Sequence, residues 1–279
     1  MTGHENKTEE MFRDKPECII NFPEEILPES MIAGYKENSG LAIVEMAGRD
    51  SVAAALKCIR DEGFTDLLPT YVYTGTEYGN WSGVPEAVRR LKKRLPEDVR
   101  VHDLIVFGSP QLWRALNGRF MSVMVKTYGA FTPCLGCHLY LHISRVPLSV
   151  LLGNKPVICG ERESHDGSIK INQIKEALDG YKAACGFYNV PLLMPIRYIE
   201  DGGKIEDILG LDWQQDMDQL GCVLSGNYRD CDGKNSLQKE YADHFLNDFA
   251  IPFVKEVIDE YLNGNVPDHI KTANRILKE

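Results

Sequence analysis

Strand-like and helix-like segments alternate along this sequence from Gly40 onward, and this alternation constrains the fold more than any other feature. The apolar segment LAIVEMAG (41–48) is followed at once by the helix-like DSVAAALKCIRDEG (50–63). A second strand, LPTYVYTG (68–75), precedes a second helix, VPEAVRRLKKRL (84–95). Such alternation is typical of a parallel sheet covered by helices. We therefore predict an α/β, Rossmann-like fold with a mostly parallel sheet and helices on both faces.

The alternation also sets the expected domain boundaries. Residues 1–39 are polar and predict an irregular lead-in, residues 40–200 an α/β domain, and residues 201–279 a helical C-terminal extension with a cysteine-bearing loop. An amphipathic helix at 239–262, interrupted at Pro252, is suited equally to a homodimer face and to covering the core. The other predicted elements are a strand at 99–108, a helix at 111–126, a helix at 139–153 broken near Pro147, a strand at 155–161, a helix at 171–186 and a strand at 190–196.

Charge and hydropathy narrow the classes of partner. A net charge of −10 argues against a broad electrostatic grip on nucleic-acid phosphates. No segment reaches the ~18 consecutive apolar residues of a membrane span, and the polar N-terminus, MTGHENKTEEMFRDK, is unlike a secretory signal. We therefore expect a cytoplasmic protein without a membrane partner. In that compartment its eight cysteines are metal ligands, reactive thiols or buried residues rather than disulfides.

The turn between the first strand and the first helix has the composition of a phosphate-binding loop. A helix that starts directly after a strand presents free backbone N–H groups and the positive end of its dipole to an anion. Ala47 and Gly48 allow close approach, Asp50 can cap the helix or hold a metal ion, and Ser51 can donate to phosphate. The Walker lysine and the G-x-G-x-x-G pattern are both missing from this turn.

The segment MAGRDSVAAAL resembles the S-G-G-x-D-S loop of the PP-loop ATP pyrophosphatases, the adenine-nucleotide α-hydrolase-like group with the HUP-type fold. Gly48, Asp50 and Ser51 match motif positions, whereas Met46 and Ala47 replace the first serine and glycine. The resemblance implies that the loop binds ATP with Mg²⁺ and that the enzyme transfers AMP and releases pyrophosphate. The loop residues assigned to nucleotide binding are Met46, Ala47, Gly48, Arg49, Asp50 and Ser51.

Two later strand ends extend the resemblance over about residues 40–200. The segment YVYTGTEYGNW (71–81) follows the second strand, where the family carries a D-T-G type strand end; here Tyr73 stands in the acidic position. The segment CGERESHDG (159–167) supplies a charged turn similar to the family's Arg/Glu/Ser-rich loop. The residues that the resemblance adds to the nucleotide site are Thr74, Gly75, Glu161, Glu163 and Ser164.

The charged turn also has chemistry of its own, because ligands bind at the carboxyl edge of an open α/β sheet. Arg162 could hold a phosphate or carboxylate, Glu163 or Asp166 could hold Mg²⁺, and His165 could move a proton. Lys170 and Asn172 follow closely enough to reach the same cleft. The alternative is a polar loop that only caps the next helix. On the first interpretation the catalytic residues are Asp50, Ser51 and Arg162.

A CxxC pair is the second chemical feature. Cys134 and Cys137, in PCLGCHLYLH, lie at a predicted helix start, which lowers thiol pKa values and lets two thiolates share one metal. Cys222 and Cys231 follow in loop-like segments as further ligands. His138 and His142 share one helix face, but we expect them to be packed side chains and leave both out of any metal site. The cysteines expected to be ordinary buried thiols are Cys18, Cys58, Cys159 and Cys185.

Three interpretations of the cysteines stay open. Cys134, Cys137 and Cys222 suit a [4Fe–4S] cluster with one open iron, as in several PP-loop sulfur-insertion enzymes that the sequence resembles. Adding Cys231 suits a closed cluster or a structural Zn²⁺. The third interpretation is a reduced pair without metal. The CxxCH pattern also matches c-type haem attachment, which the lack of an export signal disfavours.

These features favour an ATP-dependent adenylating enzyme that activates a carbonyl-type oxygen for sulfur insertion into a small molecule or a tRNA base. With zinc in place of a cluster, an amidating reaction similar to that of 7-cyano-7-deazaguanine synthase is the alternative. A protein similar to the sulfonucleotide reductases, or a nucleotide-binding module without catalysis, is also compatible with the altered loop. Release of pyrophosphate from ATP separates the first hypothesis from the last two.

Overall fold

A parallel six-stranded sheet forms the centre of the computed structural model, which describes residues 27–210, 213, 217–237 and 239–278. Cys18 and most of the predicted lead-in lie outside the described residues. The described strands are β1 (Leu41–Glu45), β2 (Asp66–Val72), β3 (Glu77–Tyr78), β4 (Arg100–Val101), β5 (Ile105–Phe107), β6 (Val157–Ile158), β7 (Leu192–Leu193) and β8 (Gly221–Cys222). The sheet order is β4-β2-β1-β6-β7, with β5 also paired to β2, and β3 pairs antiparallel with β8.

Helices follow the strands as the sequence alternation predicts. The described α-helices are α1 (Glu29–Glu37), α2 (Arg49–Glu62), α3 (Gly83–Lys92), α4 (Pro110–Asn117), α5 (Met121–Tyr128), α6 (Pro133–Ile143), α7 (Val146–Leu151), α8 (Lys175–Gly186), α9 (Gly202–Leu209), α10 (Lys239–His244), α11 (Ile251–Leu262) and α12 (His269–Leu277). A 3₁₀ turn spans Ile171–Gln173, and a π-helical turn spans Phe245–Ala250. No helix among the described residues is long and apolar enough to cross a membrane.

The central strand β1 shows why both sheet faces are covered. All five of its residues are buried, and successive side chains point to opposite faces. Leu41 and Ile43 join a core that includes residues of α6, α8 and α11, whereas Ala42 and Val44 join a second core with residues of α2 and α3. A continuous apolar run is therefore required at this position. The prediction of an α/β fold with a parallel sheet, helices on both faces and a helical C-terminal end is confirmed.

Several predicted boundaries are wrong in detail, and proline accounts for two of them. The break predicted near Pro147 is confirmed, because residues 139–153 belong to two helices, α6 and α7, with Pro147 in the first turn of α7. The predicted start at 139 is wrong, since α6 begins at Pro133. Pro252 likewise lies in the first turn of α11, which continues directly from the π-helical turn without the predicted interruption. A proline at such a position costs little, because the N–H groups of a first turn have no intrahelical partner.

The other differences arise where short elements adjoin. The helix predicted at 111–126 is divided into α4 and α5, and the strand predicted at 99–108 into β4 and β5. The predicted irregular lead-in contains α1, and the strand predicted at 190–196 is only β7. These short elements are held by tertiary packing rather than by a strong local pattern.

Candidate functional site

A cavity of about 340 Å³ opens where the strands β1, β2 and β6 end, and we call it the phosphate-loop cavity. Its wall includes the loop from Met46 to Ser51, the end of β2 and the turn after β6. A second cavity of about 140 Å³, the cysteine cavity, is lined by Cys134, Cys137 and Cys222 among others. The side chains that line both cavities are Thr76, Cys137, His138, Lys170 and Cys222.

The loop from Met46 to Ser51 is closed by the Ser51 hydroxyl. Its Oγ accepts the N–H groups of Ala47 at 3.1 Å and Gly48 at 3.2 Å, and donates to the Gly48 carbonyl at 2.7 Å. Helix α2 begins directly afterwards, so its N-terminal turn lies in the cavity wall. The dipole of this helix favours an anion there.

Gly160, at the end of β6, allows the sheet to approach this helix start. A Cβ atom at Gly160 would lie 2.6 Å from the Ser51 nitrogen and 2.7 Å from the Asp50 carbonyl carbon. Only a residue without a side chain fits at this distance. Because of this close approach, the loop and the turn after β6 both line the phosphate-loop cavity.

The Asp50 carboxylate is surrounded by basic side chains on the side that faces the protein interior. Its Oδ1 accepts Arg49 Nε at 3.0 Å, and its Oδ2 lies 3.5 Å from Arg162 Nη1 and 3.9 Å from His165 Nδ1. Arg162 is fully buried and donates to the carbonyls of Ile199 and Glu200 at 2.7 and 2.5 Å. Arg162 therefore stands behind Asp50, outside the cavity wall, rather than facing a ligand.

The segment after β2 is organised by Glu77. The Glu77 carboxylate accepts the N–H groups of Thr74, Gly75 and Thr76, each at 3.0 Å, and the Tyr71 hydroxyl at 3.2 Å. Gly75 has a φ of 83°, which a glycine adopts without strain. The Thr74 and Thr76 side chains consequently line the phosphate-loop cavity.

The turn after β6 divides its charged side chains between the cavity and the protein interior. Glu161 lines the cavity, whereas Glu163 pairs with Arg197 at 2.6 Å. His165 also lines the cavity and hydrogen-bonds Gln173 at 2.6 Å. Burial and the Lys170 ammonium lower the pKa of His165 to about 4, well below neutral.

Glu161 also belongs to a buried cluster with two histidines. His138 Nδ1 lies 2.7 Å and His142 Nε2 3.3 Å from Glu161 Oε1, and His142 Nδ1 lies 2.8 Å from Glu45 Oε1. Burial opposes charging of Glu161, but the two imidazoles lower its pKa well below its usual range. Burial alone would lower the pKa of His142, but Glu45 and Glu161 raise it to about 9.

The cysteine cavity collects three of the four predicted metal-ligating thiols. Trp113 Nε1 donates to Cys137 Sγ at 3.2 Å, Thr76 Oγ1 lies 3.3 Å from Cys222 Sγ, and Cys134 Sγ lies 3.4 Å from Asn227 Oδ1. Among the described cysteines, Cys231 is the exposed one and lies outside both cavities. Cys58, Cys159 and Cys185 are buried, as predicted.

The prediction that the helix start lowers the thiol pKa values is wrong in the metal-free protein. Burial raises the pKa of Cys134 to about 11 and raises that of Cys137 further, because desolvation outweighs the helix end. A metal must therefore displace protons from these thiols.

The spacing of the thiols bears on which group they fit. A single tetrahedral Zn²⁺ with Zn–S bonds near 2.3 Å holds its sulfurs about 3.8 Å apart. Among the described residues, the three thiols are not a group whose donor atoms all lie within 4.8 Å of one another. Three thiols on one cavity wall are a donor set that both zinc ions and iron–sulfur clusters use.

The structure assembles most, but not all, of the predicted site. Around the two cavities it brings together Met46, Ala47, Gly48, Arg49, Asp50, Ser51, Thr74, Glu161, Cys134, Cys137 and Cys222. The predicted residues that lie outside both cavity walls in the described structure are Gly75, Arg162, Glu163, Ser164 and Cys231. Sequence reasoning missed Glu45 and Gln173. A carboxylate ending an otherwise apolar strand was the available signal for Glu45, and Gln173 gave none.

Fold and site together define an α/β protein with a phosphate-type loop beside a cysteine cavity. The sequence matches no protein-family model. It is 44% identical over 232 residues to an uncharacterised protein of Methanocaldococcus jannaschii, covering 81% of this chain and 82% of that protein. The chain therefore belongs to the same family as that archaeal protein.

A solved structure gives a more distant comparison. A 4-thiouridine synthetase crystallised with RNA and bound ATP aligns with 86% of this chain at 14% identity and a TM-score of 0.42. The present chain spans about half of that chain, 54% of its length. A TM-score below 0.5 is too low for this likeness to assign a function.

Proposed function

We propose that this protein is an ATP-dependent adenylating enzyme that activates a carbonyl-type oxygen of its substrate for replacement by sulfur. The observation that carries the proposal is the adjacency of the two cavities, which share Thr76, Cys137, His138, Lys170 and Cys222. A nucleotide bound at the helix start would have its reacting end beside three thiols. This arrangement supports a reaction with two consecutive steps at one place.

The phosphate-loop cavity is suited to the first step. The substrate oxygen attacks the α-phosphorus of ATP, an O–P bond forms, and pyrophosphate leaves. The N-terminal turn of α2 would stabilise the charge on the pyrophosphate, with Lys170 in the same wall. Asp50 also lines the cavity and is placed to hold Mg²⁺ on the phosphates.

The cysteine cavity is suited to the second step. Sulfide attacks the activated carbon, a C–S bond forms, the C–O bond breaks, and AMP leaves with the former substrate oxygen. Cys134, Cys137 and Cys222 would hold a [4Fe–4S] cluster, which when bound supplies an iron free of protein ligands for sulfide. With sulfide as donor, the exchange of oxygen for sulfur requires no added oxidant or reductant.

The test follows ATP labelled on the α-phosphate and, in parallel, on the γ-phosphate, so that AMP and pyrophosphate are both counted, in anaerobically purified protein with Mg²⁺ and sulfide and with small RNA or a small-metabolite extract as the source of acceptor. We expect equal amounts of AMP and pyrophosphate, and the active extract identifies the acceptor as a tRNA base or a small molecule. Ser51→Ala should lower the rate, since Ser51 closes the loop, while Ser122→Ala on the exposed face of α5 should not.

Other results of the same assay would support the alternative functions. ATP binding without cleavage under both extracts would support a nucleotide-binding module and contradict the proposal. AMP formation that requires ammonia instead of sulfide, in a protein with one zinc per chain, would support the amidating alternative.

A further inference from the structure

The two histidines that the sequence analysis set aside meet Glu161 at the cavity wall. His138 and His142 lie one turn apart on α6, and Glu161 follows β6. One donor atom from each of the three residues lies within 4.8 Å of the other two. Donor atoms this close can bind one metal ion after small side-chain movements, since ligands about 2.0–2.2 Å from a tetrahedral ion lie roughly 3.3 Å apart.

The outward-facing atom of each of these side chains is already held by a neighbour. His142 Nδ1 lies 2.8 Å from Glu45 Oε1, and His138 Nε2 lies 2.8 Å from the Asn172 side-chain amide. Gln173 Nε2 donates to Glu161 Oε2 at 2.5 Å. Metal-binding histidines and carboxylates are commonly oriented by such outer hydrogen bonds. The inward atoms, His138 Nδ1, His142 Nε2 and Glu161 Oε1, are thereby directed at one another.

His142 supplies a second and independent observation. Its side chain is fully buried, and its Nε2 atom lies 3.3 Å from Glu161 Oε1 without meeting the geometry of a hydrogen bond. A buried polar atom without a partner costs stability, so such an atom in a native protein requires an explanation. Nε2 is directed at Glu161 from 3.3 Å, and a metal ion between the two would satisfy it.

The local charge is also suited to a cation. Two carboxylates, Glu45 and Glu161, face the histidines, and the guanidinium of Arg145 lies 3.2 Å from Glu45. Lys170 is a further cation in the wall of the same cavity. Because Arg145 pairs with Glu45, the Glu161 carboxylate is the one left to offset part of the charge of a divalent ion, and the ion must displace the proton of His142.

We propose that His138, His142 and Glu161 form a site for a divalent transition-metal ion of the zinc type. Two imidazole nitrogens and one carboxylate oxygen are a ligand set that holds Zn²⁺ with a fourth position open. His138 and Glu161 line the phosphate-loop cavity, so the fourth ligand would come from that cavity. Metal binding at this site requires neither ATP nor an iron–sulfur cluster, and it can be measured without an enzyme assay.

The experiment measures Zn²⁺ binding by the full-length chain after removal of metal with a chelator. We expect one Zn²⁺ per chain in a variant in which Cys134, Cys137 and Cys222 are all replaced by serine. Adding Glu161→Gln or His142→Gln should lower the affinity at least tenfold, since each removes a ligand. Glu45→Gln should lower it about 10–100-fold, the usual effect of losing an outer-sphere partner. His244→Gln alters an exposed histidine that pairs with Asp248 and should change nothing.

Co²⁺ in place of Zn²⁺ identifies the ligands spectroscopically. We expect visible bands typical of nitrogen and oxygen ligands, without the intense near-ultraviolet bands of cobalt–thiolate bonds, and His138→Gln should shift or abolish them. Thermal unfolding of each variant separates loss of the site from loss of the fold.

Three results would overturn the proposal. The first is unchanged Zn²⁺ affinity in a folded Glu161→Gln variant. The second is Zn²⁺ binding that occurs in the wild-type chain but is abolished by the three cysteine replacements. The third is no Zn²⁺ binding by any of these proteins, which would show that a proton on His142 holds His138, His142 and Glu161 together.

Discussion

The two walls of the site are built in different ways. The phosphate-loop wall is built around one contiguous segment, Met46 to Ser51, which packs against Gly160 at the end of a buried strand. The cysteine wall is assembled from α6 and from Cys222, which lies far along the chain and is joined through the short β3–β8 pair. The first wall is rigid because of local hydrogen bonds and close packing. The second wall depends on segments that meet only in the folded protein. A substitution that disrupts one wall should therefore leave the other wall intact.

The largest expected effect is on the rigid wall. Gly160→Ala places a Cβ atom 2.6 Å from the Ser51 nitrogen, against backbone that cannot move away. Overpacking of this kind costs about 1–3 kcal/mol, or roughly a 5–150-fold loss of ATP affinity if it displaces the loop. Titration calorimetry with ATP and Mg²⁺ measures the loss.

The matched control for this change is Gly186→Ala at the end of α8, where an added Cβ meets nothing within 4 Å. Unchanged ATP affinity in a folded Gly160→Ala variant would contradict the assignment of this loop.

The second effect concerns the assembled wall. Cys222→Ser should remove the iron–sulfur absorption of anaerobically purified protein, because a cluster with three protein ligands loses one of them. ATP affinity should change by less than about threefold, since the helix start that we propose for phosphate binding is intact. Cys231→Ser is the control and should keep the absorption, because Cys231 is exposed and lies away from the cavity.

Two results would count against the three-cysteine assignment. Loss of the absorption in Cys231→Ser would require a fourth ligand. A colourless wild-type protein without iron would exclude the cluster.

A pH effect of intermediate size should come from His165, which lines the phosphate-loop cavity. Its pKa is lowered to about 4, whereas an unfolded chain titrates near 6.5. The unfolded state therefore binds the proton first as pH falls. The associated stability is present above pH 6.5 and is lost between about 6.5 and 4, at up to about 1.4 kcal/mol per pH unit.

Urea unfolding at pH 7, 6 and 5 measures this slope, and His165→Gln should flatten it. A slope that is the same in both proteins would show that other groups determine it.

The smallest effect is a difference in thiol reactivity. In metal-free protein, iodoacetamide should modify exposed Cys231 first, while Cys134 and Cys137 react slowly because burial raises their pKa values. Peptide mass spectrometry over a time course gives the order. Rapid modification of Cys137 would show that the cysteine wall opens in solution.

The contrast between the walls also explains what the sequence could predict. The strand, turn and helix around Asp50 and Ser51 are local, and their pattern indicated both the fold and the loop. Arg162 has the chemistry of a phosphate ligand, but its guanidinium is committed to the carbonyls of Ile199 and Glu200. That commitment depends on a loop nearly forty residues away and leaves no local signal.

The histidines show the same limit of local sequence patterns, because here the pattern argued against a site that the tertiary structure assembles. The spacing of His138 and His142 on one helix face was visible, but an apolar helix favours packed side chains at such positions. Only the tertiary structure places Glu161 against both and Glu45 behind His142.

The central claim is that the two walls act on one substrate, and a single titration tests it most directly. ATP and Mg²⁺ are added to anaerobically purified, chemically reduced protein while the absorption and the electron paramagnetic resonance spectrum of the proposed cluster are recorded. We expect the cluster signals to change with the dissociation constant that calorimetry gives for ATP, and Gly160→Ala should lose the change while keeping the cluster. Cluster signals that stay constant while ATP saturates its site would contradict the account.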